Sequence, residues 1–159
     1  MNYVRIFILL LFVVGSSACD PNRIYEEYNK DFSTLQWEKS KKLEFTPEIK
    51  DPQGNYKLCL AFRHVHGFQF KDMSVRVTQT TPSGKSTSKE YTFQVMNTDG
   101  GYIGECLGDI CDLESVIENG IKFSEAGKYT YTVEHIIPMD VLPNVMEIGL
   151  IIEKIPNTR

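Results

Sequence analysis

Four groups of residues in this chain are of types that do chemistry. The first is Cys19, in the run Ser16-Ser17-Ala18-Cys19. Before it stand one basic residue, Arg5, then an apolar stretch from Ile6 to Val14, then Gly15 and small residues. That is the layout of an export signal: a positive start, an apolar middle and a small-residue cleavage site. A cysteine just after such a cut can carry a diacylglycerol on its sulfur, and its freed amine is then acylated. Residues 1–18 are therefore expected to be a cleaved lipoprotein signal peptide, with lipidation at Cys19. Ser16 departs from the leucine usual three places before the cysteine, and an ordinary signal cut elsewhere would leave a plain thiol. The apolar run is too short for a spanning helix, which needs about 20 residues.

The second group is Cys106 and Cys111, which flank four residues, where a local disulfide is possible if the side chains converge. Chain entropy credits so short a loop with roughly 2 kcal/mol. Two unpaired thiols are the alternative. Export favours disulfides, and the spacing is not the C-x-x-C of a redox enzyme. The third is His64-x-His66, which would share one face of a strand and could begin a metal site. Only His135 could add a third imidazole, and Gly67 suggests that the pair lies at a strand end, so no metal is expected. The fourth is an acidic run with no base in it: Glu105, Asp109, Asp112, Glu114 and Glu118. Its spacing is not that of a calcium-binding EF-hand loop. The nucleophile elbow, the P-loop and the dinucleotide fingerprint are all absent, and no cofactor is expected.

Removing the leader removes Arg5 and no acid, which leaves 141 of 159 residues, with 16 basic and 21 acidic side chains. That length suits one domain with its own core. The acidic balance argues against nucleic acid, whose binders concentrate positive charge.

The elements that would position these residues read as strands. Tyr56, Leu58, Leu60 and Phe62 alternate with Lys57, Cys59, Ala61 and Arg63. The same period of two runs through Met73-Val75-Val77, Tyr91-Phe93-Val95, Tyr129-Tyr131-Val133 and Ile148-Leu150-Ile152. Side chains alternate across a strand, so each segment offers one buried face. Pro82-Ser83-Gly84-Lys85 and the run 97–101 supply turns. Residues 37–49 read as a strand or two, interrupted at Pro47. Only Leu107 to Ile117 offers a short helix. The fold class predicted is all-β: a single antiparallel β-sandwich, jelly-roll or immunoglobulin-like, with a barrel as the alternative. Residues 19–35 are expected to be a lipidated tether and 36–159 the sandwich.

Four motifs, in order, resemble those of the GldH family of gliding motility-associated lipoproteins found in Bacteroidetes. Cys19-Asp20-Pro21-Asn22-Arg23-Ile24-Tyr25-Glu26-Glu27-Tyr28 resembles C-D-x-N-x-V-Y-E-x-Y. Gly104-Glu105-Cys106-Leu107-Gly108-Asp109-Ile110-Cys111-Asp112 resembles G-x-G-L-G-D-I-x-D. Phe123 to Tyr129 resembles F-x-x-x-G-x-Y, and Asp140 to Leu150 resembles D-x-L-P-G-I-x-D-V-G-L. Cys106 and Asn144 each replace a usual glycine, and Cys111 falls at a variable place, so a bridge there would not be a family hallmark. The resemblance implies a non-enzymatic envelope lipoprotein. It would be anchored through its N-terminal lipid, on the periplasmic side of the outer membrane, and would act beside other envelope lipoproteins of the gliding machinery and in surface protein export. No small-molecule substrate is expected. Gly104, Gly108, Asp109 and Asp112 form a candidate partner-contact loop, against the plainer reading that the motif encodes a demanding loop shape. A glycan-binding module is the alternative function, and a hydrolase, which would need a cleft with mismatched carboxylates, is a distant third.

Overall fold

The computed structural model describes residues 21–32 and 34–156. The signal segment and Cys19 lie outside the described residues. Within them are thirteen strands and no helix: β1 (Arg23–Asn29), β2 (Gln36–Glu38), β3 (Leu43–Phe45), β4 (Glu48–Ile49), β5 (Tyr56–Val65), β6 (Asp72–Thr80), β7 (Ser86–Gln94), β8 (Glu105–Leu107), β9 (Ile110–Ile121), β10 (Gly127–Lys128), β11 (Thr130–His135), β12 (Val141–Pro143) and β13 (Val145–Lys154).

Two antiparallel sheets face one another. The first has strand order β1-β13-β5-β9-β8 and the second β3-β11-β6-β7; β10-β4 and β12-β2 are two-stranded ladders. The alternation explains the pairing of faces. On β5 the even-numbered side chains from Tyr56 to His64 are all buried, and Phe62 and Leu60 lie opposite Ile148 and Leu150 of β13. From the second sheet Met73, Val75, Val77, Phe93, Tyr131 and Val133 join the same core. The rings of Phe62 and Phe93 meet across the gap, centroids 6.4 Å apart. At the open seam Lys89 and Tyr91 of β7 both reach Glu118 of β9, which clasps the two sheet edges.

Three local expectations need correction. Residues 23–29 are not tether: β1 pairs antiparallel with β13 at the sheet edge, from Arg23 opposite Glu153 to Asn29 opposite Ile148. An edge strand is held by backbone bonds and exposes much of its length, so its side chains show no clean alternation. Leu107 to Ile117 is not a helix. It is the turn and first part of a β-hairpin, because Gly108 takes φ +61° at the first central position of a two-residue turn, the φ pattern of type II′. Residues 36–49 form three strand pieces rather than one or two, with Trp37 fully buried on the first.

Candidate functional site on the outer face of the five-stranded sheet

The outer face of the first sheet collects the odd-numbered side chains of β5. Two of its neighbours are small: Gly149 of β13 lies directly opposite Ala61. A Cβ on Gly149 would fall 2.6 Å from the Tyr28 ring and 3.0 Å from Ala61, so glycine lets Tyr28 lie flat over the sheet. Bulkier, charged residues ring this floor. Arg63, Asp112 and Glu147 stand opposite one another on β5, β9 and β13. The Arg63 guanidinium forks onto Asp112 (Nε to Oδ1 2.6 Å, Nη2 to Oδ2 3.0 Å) and sends Nη1 to Glu147 at 2.8 Å. Hydrogen bonding to Asp112, then to Glu147, outweighs desolvation and raises the Arg63 pKa. A second lattice lies toward the start of β1. Arg23 reaches Glu114 and Glu153, and Lys57 bonds Glu153 at 2.6 Å. Between these walls runs a trough of about 710 Å³, lined by Tyr28, Arg63, Gly104, Glu105, Glu114 and Glu147 among others.

Beneath the lattice sit Cys59 and Ile151, both with no exposed surface although they occupy the solvent side of the sheet. Burial, then the nearby Glu114 charge, pushes the Cys59 thiol up to about 11. It is thus protonated at neutral pH and is no nucleophile. Tyr28 is pushed up to about 12 by desolvation and then by its bond to Glu26.

The β8–β9 hairpin closes one end of the trough. Cys106 and Cys111 face each other across it and are joined by a disulfide, Cα atoms 4.0 Å apart. The four candidate contact residues divide by role. Gly104 lets its chain press against β9: an added Cβ would lie 2.3 Å from the Asp112 carbonyl oxygen. Gly108 supplies the positive φ of the turn, with open space around it. Asp112 is tied into the Arg63 pair. Asp109 stands at the exposed tip, where its carbonyl accepts a bond from His66 N–H at 2.6 Å. Next to it Leu107 is 89% exposed. Sequence reasoning missed Arg63, Glu147 and Tyr28. The available signal was the small or apolar character of Cys59, Ala61, Gly149 and Ile151 on faces that alternation marks as outward.

The histidine pair is split. His64 points inward against Phe62, Phe68 and Tyr102, whereas His66 lies past the end of β5 and is exposed. Among the described residues no three His, Cys, Asp or Glu side chains converge as metal ligands. Among the described residues two buried imidazole nitrogens, His64 Nε2 and His135 Nδ1, have no hydrogen-bond partner. Burial holds both rings below the ordinary histidine pKa. The unfolded chain therefore takes up protons near pH 6.5 that the native protein refuses, and stability falls as pH drops through that value. The urea midpoint is expected to fall between pH 7.5 and 5.5, before carboxylates titrate, and His64→Phe should flatten part of the slope. A midpoint constant across that interval would contradict this reading.

Fold and site together define a single antiparallel β-sandwich with a charge-laced outer face and a disulfide-braced hairpin. The family model described as GldH lipoprotein matches residues 23–152, and the chain belongs to that family. It is 23% identical over 159 residues to "Gliding motility lipoprotein GldH homolog" of Christiangramia forsetii, covering 96% of both chains. It is 25% identical over 154 residues to "Gliding motility lipoprotein GldH" of Flavobacterium johnsoniae, covering 92% of this chain and 94% of that one. Membership of a lipoprotein family implies a membrane-anchored place in the cell envelope. Among solved structures, TmCBM61 in complex with beta-1,4-galactotriose overlaps 83% of this chain and 82% of its own, at 14% identity and a TM-score of 0.34. An overlap that loose carries no inference.

Proposed function

We propose that this domain is a non-catalytic interaction module, held by lipid at Cys19 on the periplasmic side of the outer membrane. It acts there with other envelope lipoproteins in gliding motility and surface protein export. The match over residues 23–152 and the names of the two relatives support the setting. The observation that carries the contact site is the hairpin tip. Leu107, an apolar side chain almost wholly in solvent, is displayed on a turn that a disulfide holds closed. Exposed apolar side chains on a rigid scaffold suit protein contact better than chemistry. Acylation would confine the domain to a surface shared with its partners. Confinement raises their effective concentration, so that a small contact suffices.

Cys19→Ala is expected to abolish gliding or surface export while the purified domain keeps its circular dichroism and melting temperature. Full function from that unanchored variant would overturn the anchoring reading. A photocrosslinker at position 107 should capture another envelope lipoprotein in cells. Binding on a polysaccharide array through the trough, with no crosslinked protein, would replace the proposal with the glycan reading.

A further inference from the structure

The end of the sandwich that carries the amino terminus is assembled from separate stretches of chain. Asn22 and Asn55 carbonyls accept bonds from the N–H groups of Lys154 and Ile155. Lys154 Nζ reaches Asp51 at 2.7 Å. Ile121 lies opposite Tyr56 and Gly127 opposite Ile49. Ser83 bonds Glu125, and a Cβ on Gly127 would touch Pro82 at 2.9 Å. The start of β1, the 50–55 loop, the β6–β7 turn, the 119–128 segment and the end of β13 therefore share one pole.

That pole is basic in an acidic protein. It exposes Lys50, Lys85, Lys122, Lys128 and Lys154, set against Glu48, Asp51 and Glu125, whereas the whole chain carries a net charge of −4. At the opposite pole, with strand ends counted likewise, Lys30, Lys39, Lys41, Lys42 and Lys71 stand against Asp31, Glu38, Asp72, Asp99, Glu105, Asp109 and Asp140. Lysines from four different loops and strand ends converge here, which no single amphipathic element requires. Only residues 20–22 separate Cys19 from the first paired residue of β1. Four extended Cα steps reach about 14 Å at most. Attraction between charges in water fades over roughly 8 Å at physiological salt. So short a link keeps the pole near that range of whatever surface holds the lipid.

We infer that this lysine-bearing pole rests on an anionic lipid surface and stands the sandwich upright on the membrane. The inference builds on acylation at Cys19. β5 runs from this pole to the other, ten residues or about 33 Å. The β8–β9 tip, with Leu107 and Asp109, is thereby carried a full strand length away from the bilayer.

Lysine footprinting tests this. The full acylated protein is placed in vesicles of phosphatidylcholine, with or without phosphatidylglycerol, and acetylated briefly. Rates are read at each lysine by mass spectrometry. Lys50, Lys122 and Lys128 should slow by about threefold or more when the anionic lipid is added, and high salt should reverse the change. Lys39, Lys42 and Lys71, at the far pole, should not change. The triple variant K50E/K122E/K128E should lose the lipid dependence while staying bound and folded. Equal slowing everywhere, or slowing at the far pole instead, would overturn the inference with the anchor intact. Failure of the anchor is separately visible, as an intact mass without acyl chains and protein left in the supernatant, and it would remove the orientation too.

Discussion

Gly104→Ala is expected to destabilise the β8–β9 hairpin more than any other single added methyl group in it. The new Cβ would lie 2.3 Å from the Asp112 carbonyl oxygen, 2.8 Å from its carbon and 3.2 Å from Leu113 Cβ. Two of these atoms are backbone. They cannot retreat without dragging Asp112 away from Arg63, its partner across the β5–β9 ladder. Nor can the hairpin splay, since the disulfide joins the neighbouring positions 106 and 111. The cost should sit at or above the top of the roughly 1–3 kcal/mol range for overpacking. Gly108→Ala is the internal comparison. Its Cβ meets nothing within 4 Å, so it pays only for φ +61°, about 1–2 kcal/mol. Urea unfolding of both variants ranks them. A Gly104→Ala penalty no larger than that of Gly108→Ala would show that β8 does not press on β9 as described.

Trp37→Ala is expected to lower the melting temperature by roughly 10–20 °C, from a loss of about 3–5 kcal/mol. Trp37 is fully buried on a strand of only three residues. Its ring meets Phe32 and His135 edge-on, with centroids 6.0 and 5.2 Å away. The indole N–H donates to the Lys41 carbonyl at 2.8 Å, and the Trp37 carbonyl is 3.1 Å from His135 Nε2. Among the described residues β2 pairs only with β12, so this side chain fastens the segment around it to the sandwich. Truncation would leave a cavity and one carbonyl without its donor. Trp37→Phe should recover part of the loss. A drop below about 3 °C for the alanine variant, followed by circular dichroism, would refute the assigned role.

Period-two patterning made the interior legible. The inward-facing members of β5, β6, β11 and β13 follow from alternation because each of those strands has one face in a common core, whereas Cys59 and Ile151 are buried on the outer face by the side chains laid over them. β1 was opaque for the opposite reason. Arg23 to Asn29 is fixed mainly by bonds to the β13 backbone, which any residue type can make. The hairpin resembles a helix in sequence because Leu107, Ile110, Leu113 and Ile117 recur at steps of three and four, and only the left-handed conformation of Gly108 shows that the chain reverses. The small outward residues hinted at a covered face, but which charges pair over it could not be read in advance. Arg23 and Glu114 are 91 residues apart, and only the strand order brings them to one face. Of the candidate contact residues, Gly104 and Gly108 turn out to shape the hairpin and Asp112 to sit in an ion pair. Asp109 alone of the four is simply displayed.

The placement of β1 has a mechanical consequence. It runs away from the amino terminus, antiparallel to the final strand, and its bonds to that strand lie across its axis. A tug between a lipid-held amino terminus and a load gripping the far tip acts along β1. It therefore strains the whole row of cross-strand bonds at once in shear, instead of unzipping them one after another. A strand loaded in shear is a fastening that resists pulling.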